Sequence, residues 1–392
     1  GAAQAAGGAT GEPLLGVLWA RTLGMAMLAA AVAVGVGAPA GAVLARVRLP
    51  GRGLWWLALA APLLLPPYLL AEGWIDLLAP RFTPRGTVVA AVVLGLAHAP
   101  LPAIAAALAV ARIPQPLEDA AHLYGARWWR WRYVLAPLLA PWLAAAAALV
   151  ALLALLDFAV PHLLQAPVFA AEVYLELSAY NDLTRAAQAG GVLVLSGCAL
   201  IALAVWSGWR GHRWLDAQAR TPWRDGAHRQ AAGVVVLAAV LLLTGVLPLL
   251  AMAQRVWPPG SALQTLAQTM PAVGIGVAVG ASAATVAALI ALLTTLSRRW
   301  PAGVLALGAA GYLASGPVLG VGLVAFWNRY DWRGAVYDHP AIMVLGVAAQ
   351  LLPFAVLALA VARRAQPETW EDAAAANGLP PGRAWARITL PA

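Results

Sequence analysis

The chain has 392 residues, of which 62% are hydrophobic and only 10% charged, and it carries a formal net charge of +9. Soluble domains average about 25% charged residues, and this chain has too little polar surface to cover a water-soluble fold of its size. A mean hydropathy of +0.78 places it in a bilayer, and the basic residues sit in short loops between apolar runs rather than on one polar domain, which excludes nucleic acid as a partner.

A hydrocarbon core of about 30 Å takes roughly 20 apolar residues in a helix. Nine stretches meet that length: Leu23–Ala45, Leu54–Ile75, Thr87–Ala111, Leu138–Val160, Ala187–Trp206, Ala231–Met252, Pro271–Leu296, Ala302–Trp327 and Ala341–Ala362. Several contain proline (Pro62, Pro66, Pro67, Pro317, Pro353), which membrane helices accept when neighbours satisfy the freed carbonyls. The predicted fold is an all-α polytopic membrane protein. The opening GAAQAAGGATGEP carries no signal peptide, and together with the closing ITLPA it reads as part of a longer chain.

The arginines set the orientation. Alternate loops hold Arg46, Arg48 and Arg52; Arg112, Arg127, Arg130 and Arg132; Arg210, Arg213, Arg220, Arg224 and Arg229; Arg298 and Arg299; and Arg363, Arg364, Arg383 and Arg387. That side has 18 of the 25 arginines and is therefore assigned to the cytoplasm. By this alternation the chain begins outside, so an earlier helix is expected. Trp55, Trp56, Trp74, Trp206, Trp209, Trp257 and Trp327 lie near span ends, where indole suits the headgroup region.

Three absences narrow the chemistry. The chain has no lysine, which excludes a P-loop and Schiff-base catalysis. Its one cysteine, Cys198, excludes a disulfide framework, a CxxC pair and a thiolate zinc site. Six histidines (His98, His122, His162, His212, His228, His339) show no metal-ligand spacing. No enzymatic activity and no cofactor are expected.

An internal repeat supplies the main functional signal. The stretch Glu118-Asp-Ala-Ala-His-Leu-Tyr-Gly125 returns as Glu371-Asp-Ala-Ala-Ala-Ala-Asn-Gly378, 253 residues later. An earlier pair, Arg21-Thr-Leu and Gln268-Thr-Met, is offset by 247, so the two copies form a parallel duplication. Pro116 and Pro367 suit a helix start, and the acidic pairs Glu118/Asp119 and Glu371/Asp372 complement the positive end of its dipole. Ala120, Ala121, Ala373 and Ala374 give a helical face without bulk, and Gly125 and Gly378 permit a left-handed exit. Such an element can be gripped by a cytoplasmic partner. A single copy reads equally well as an interfacial helix, anchored by Arg127-Trp-Trp-Arg-Trp-Arg132. Two copies at matching topological positions favour docking.

The double motif resembles the EAA loop of the permeases of binding-protein-dependent ABC importers. Asp119-Ala120-Ala121 with Gly125 and Asp372-Ala373-Ala374 with Gly378 match its core, and Ile388 with Leu390-Pro391 matches its tail. The first copy departs from the pattern: its glycine-to-proline spacing is 12 rather than 13, and Ala136 stands in place of leucine. Two loops in one chain resemble the fused inner-membrane permeases, most similar in kind to those for ferric iron and thiamine. The resemblance implies a first half at residues 1–206, lacking its first helix, with its loop near 112–137. A cytoplasmic linker at 207–230 and a second half at 231–392 follow; the latter lacks its last two helices and has its loop near 363–391. Two ATP-binding cassette ATPase subunits and a periplasmic substrate-binding protein are the implied partners, beside the lipid bilayer. The implied location is the bacterial inner membrane, and the implied cargo is ferric iron, with thiamine, polyamine or phosphonate as alternatives. An ion-driven secondary transporter is the other reading; it would need coupling carboxylates near the midplane.

Asp157, beside Phe158 at the end of a span, is a translocation-path candidate, although a solvated or capping role explains it equally well. Glu72 and Asp76 pose the same choice. His98 reads as a packed residue bonded to a carbonyl. The small-residue run Gly274-Ile-Gly-Val-Ala-Val-Gly280 reads as a close-packing stripe.

Overall fold

The computed structural model describes residues 2–113, 117, 131–178, 183–214, 227–255, 259–295, 312, 316–365, 373–374, 376–380 and 383. Among the described residues every regular element is helical, and the chain divides into two compact units, Gly1–Ala262 and Leu263–Ala392. Glu118, Asp119, Ala120, Ala121 and Gly125, with Glu371 and Asp372, lie outside the described residues.

The first unit contains α1 (Ala2–Arg46), α2 (Arg52–Ala60), a 3-10 turn (Ala61–Leu64), α3 (Pro67–Leu78), α4 (Thr87–His98) and α5 (Pro100–Ala111). A π-turn (Trp131–Leu135) leads into α6 (Ala136–Leu156), followed by α7 (Ala159–Leu163), α8 (Phe169–Ser178) and α9 (Leu183–Trp214). Next come α10 (Ala227–Leu241), a second π-turn (Leu242–Val246) and α11 (Leu247–Arg255). The span that the repeat assigns to the second half therefore packs in the first unit. Packing and repeat draw different boundaries here.

Among the described residues, five helical stretches are long and apolar enough to cross a membrane: Leu15–Arg46, Arg132–Leu156, Gly190–Gly211, His228–Arg255 and Gln264–Leu293. Two further stretches predicted as single spans are bent. The segment Arg52–Leu64 meets Pro67–Leu78 at 93°, and Thr87–His98 meets Pro100–Ala111 at 47°. The cause is proline. Leu65 precedes Pro66 and is extended at φ −92°, ψ 134°, and neither Pro66 nor Pro67 has an amide hydrogen to continue the ladder. The total is seven if each bent pair counts as one span. Of the other two predicted stretches, Ala302–Trp327 is described mainly from Gly316, and Ala341–Val356 is a shorter apolar helix segment.

Contact order gives the relative directions. Along α1, Ala29 meets Gly95, Gly37 meets Ala99 and Gly41 meets Ala103, so α1 runs parallel to α4 and α5. Ala45, Val110, Ile113 and Leu139 then close one buried cluster at the arginine end. α6 and α9 are antiparallel, with Ala145 opposite Gly208 and Trp142 opposite Gly211. The broken α2–α3 pair tracks α10–α11 in order. Leu59 clusters with Leu237 and Val240, Pro62 faces Gly245, Gly73 lies on Pro248, and Asp76 pairs with Arg255. Both arms therefore follow the His228–Arg255 helix in the same order. These relative directions are the ones the arginine alternation requires.

The second unit is described for α12 (Pro259–Thr295, from Leu263 onward), α13 (Gly316–Trp327), α14 (Trp332–Tyr337) and α15 (Ala341–Ala365). Gly346 of α15 faces Leu323 of α13, where an added Cβ would stand 3.0 Å from the leucine methyl. The stripe expected at Gly274, Gly276 and Gly280 has no described atom within 4 Å of an added Cβ. α12 instead buries Ala283, Ala287 and Ala291, four residues apart and so on one helical face.

A Cβ on Gly41 would sit 1.9 Å from the Ala103 carbonyl oxygen, and one on Gly35 would meet nothing. Gly41→Val is expected to cost about 3 kcal/mol or more, since a backbone atom cannot swing aside. Gly35→Ala should be neutral or stabilising by up to about 1 kcal/mol. Thermal unfolding of the detergent-solubilised protein, followed by circular dichroism, separates the two.

Candidate functional site

The second copy of the repeated motif is described at Ala373, Ala374 and 376–380. Asn377 N–H donates to the Ala373 carbonyl at 3.1 Å, and Leu379 N–H reaches back to the Ala374 carbonyl at 3.0 Å. Between them Gly378 stands at φ +74°, a left-handed conformation that costs glycine little. The six-to-one bond across a left-handed residue is a Schellman ending, and it satisfies a carbonyl that the helix itself leaves open. The Asn377 side-chain amide adds a second bond to the Ala373 carbonyl at 2.8 Å. Pro380 then prevents the helix from resuming.

The faces of this short helix differ. Ala374 is buried, whereas Ala373, Ala376, Asn377 and Gly378 are exposed. Ala373, Ala376 and Asn377 are three and four residues apart and share a face. The arrangement is a smooth, small-residue surface with a fixed turn at its end.

Asp157 lies elsewhere, at the end of α6. Its Oδ1 accepts the Val160 N–H at 2.8 Å, so the carboxylate caps the start of α7. Phe158 stacks on His162 with ring centroids 5.1 Å apart and contacts Tyr174 at 5.5 Å. The loop is tied down nearby: Phe169 N–H donates to the buried Thr22 hydroxyl at 2.9 Å, and that hydroxyl donates to the Leu18 carbonyl at 2.9 Å. The structure thus gives Asp157 a local partner.

Two groupings were not legible from the sequence. Asp76 of α3, with its side chain only 7% exposed, forms an ion pair with Arg255 at the end of α11. They are 179 residues apart, and no spacing rule links them. In the second unit, Asp331 caps α14 through the Arg333 N–H at 2.9 Å and also accepts from the Arg333 guanidinium, at 2.6 Å from Nη2. Those Arg333 donors hold the Asp331 carboxyl below its usual range. Arg333 also lies 5.4 Å from the Phe326 ring, and Phe326, Trp327 and Trp332 make successive edge-to-face contacts. His98 is buried, and its ring Nδ1 is 2.8 Å from the Leu94 carbonyl, which makes it a packed donor at the α4–α5 bend.

Replacing Asp157 with alanine removes the α7 cap and should cost about 1 kcal/mol, whereas Asp157→Asn should retain most of it. Thermal unfolding of both variants in one detergent measures the difference. No protein-family model, no curated protein and no solved structure matches the chain.

Proposed function

We propose that this chain is the membrane permease of an ATP-driven importer, with the turn at Ala373–Leu379 as one of two docking elements for ATP-binding subunits. The observation that carries the reading is the exposed alanine face ended by Gly378 at φ +74°. The acidic pair Glu371/Asp372 precedes it, and the same sequence pattern occurs at Glu118–Gly125. A small-residue helix with a fixed exit lets a partner's groove close around it, and two copies allow two partners to act together. Nucleotide-driven closure of the pair would then switch the spans between inward- and outward-facing forms. With no lysine in the chain, hydrolysis is assigned to the separate subunits.

The cargo in this proposal is ferric iron, delivered by a periplasmic binding protein across a bacterial inner membrane. It rests on the resemblance alone, since no group of three or more metal-ligating side chains occurs among the described residues. Asp157 stays a translocation-path candidate in this proposal, with one of its two carboxylate oxygens engaged by the Val160 N–H.

Affinity purification of the tagged full-length protein from its native membrane, with mass spectrometry of what is retained, tests the proposal. A stoichiometric ATP-binding subunit is expected, and it should be lost when Gly125 and Gly378 are both changed to Asp. Gly378→Asp alone should reduce permease-stimulated ATP hydrolysis about tenfold while leaving membrane insertion intact, since it places a charged carboxylate on the exposed end of the alanine face that a partner must approach closely. Retention of no nucleotide-binding protein, with uptake driven by a proton gradient, would replace this reading with the secondary transporter.

A further inference from the structure

We infer that Trp142, in contact with Arg112, is the joint that carries movement of the first docking loop into α9; the inference rests on the docking role proposed above for Glu118–Gly125. That loop leaves α5 at Arg112 and returns through the π-turn into α6. Its two ends enter one buried cluster. Val110 and Ile113 come from the leaving end, Leu135, Leu138, Leu139 and Trp142 from the returning end, and Ala45 of α1 joins them. The Arg112 guanidinium lies over the Trp142 ring, 5.5 Å from its centroid, so a cation–π contact closes the base of the loop. The arginine that makes this contact is duplicated. Leu108-Ala-Val-Ala-Arg112 returns as Leu359-Ala-Val-Ala-Arg363, 251 residues later, and Gln115-Pro116 returns as Gln366-Pro367 at the same offset.

Trp142 also meets α9. A Cβ on Gly211 would stand 2.6 Å from the indole Nε1 and 2.7 Å from Cδ1, so the ring rests directly on the helix backbone. The next contact along the same two helices is looser: a Cβ on Gly208 would stand 3.9 Å from that of Ala145. Displacing the ring must therefore displace α9, because a close-packed backbone cannot swing aside as a side chain can. The usual alternative for a tryptophan near a span end is a headgroup anchor, with its N–H directed to lipid or water. Trp142 does not fit that role, since its Nε1 is buried and has no hydrogen-bond partner among the described residues. A buried donor left unpaired calls for a reason. A hydrogen bond would pin the ring to one carbonyl. Held instead between a guanidinium and a glycine, the indole resists compression yet has no directional bond to break when it slides.

Double electron–electron resonance on the full chain with its ATP-binding subunits, in lipid nanodiscs, tests this. One nitroxide goes on Cys198, the chain's single cysteine and exposed on α9, and the other is introduced by V277C at an exposed position of α12. Trapping ATP with vanadate should shift the distance between them by one helical turn, about 5 Å. W142L fills the space without a π face and should lose the shift while retaining the subunits. W142F keeps the face, gives up only an unbonded N–H, and should keep the shift. If W142L does not fold, R112Q, which removes the guanidinium from the ring, should lose the shift in its place. A native-sized shift in folded W142L or R112Q overturns the inference. Equal loss in W142L and W142F overturns it too, by marking Trp142 as packing alone, and loss of the subunits from W142L does so by placing Trp142 in docking itself. No shift in the native protein with subunits bound means that α9 does not move, which is equally fatal. If the native protein retains no ATP-binding subunit, the docking reading itself fails and takes the inference with it.

Discussion

The first unit depends on how closely α1 approaches α4 and α5. Gly37 and Gly41 lie against the carbonyls of Ala99 and Ala103, and Gly95 against that of Ala29, with no room for even a methyl group. Between helices in a bilayer there is no water to expel, so association must come from van der Waals contact and polar bonds. Glycine at these three positions brings backbone to backbone, where such contacts are most numerous. The flanking alanines Ala26, Ala29, Ala30, Ala33 and Ala40, all buried, keep the seam narrow along its length.

Other features follow from that seam. It holds α1 parallel to the bent α4–α5 span and gathers their arginine ends around Trp56 and Trp142. The broken α2–α3 span is supported differently, by the straight helix from His228 to Arg255, which it follows from Leu59 to Asp76. A chain bent by 93° within a membrane exposes carbonyls, and it persists only where a neighbour covers it. At the break the Pro62 carbonyl accepts the Leu65 N–H at 3.2 Å, and the buried Pro62 ring packs at Gly245. The Asp76–Arg255 pair closes the same seam at its far end, so the break is held from both sides.

The candidate docking turn was legible because its signal is local. An alanine run, an asparagine and then glycine before two prolines specify a helix and its ending within ten residues, and Gly378 adopts the left-handed angle such an ending requires. Asp157 shows the limit of reading a charged residue by its place in a span. Its carboxylate is used three residues away by the Val160 amide, which is the capping role. The glycine stripes show a second limit. Gly274, Gly276 and Gly280 look like a packing motif yet touch nothing described, whereas the scattered glycines of α1 and α4 make the close contacts.

What the sequence by itself determined is the membrane class, the helical content and the alternation of arginine-rich ends, because composition and 20-residue apolar runs are summed over many residues and tolerate local exceptions. It also determined the form of the Ala373–Leu379 turn, whose bonds lie within six residues of one another. The tertiary structure decided where the spans break, which glycines meet a backbone, and that Asp76 finds Arg255. Those outcomes depend on which helix lies beside which, and a helix's own residues do not encode its neighbour.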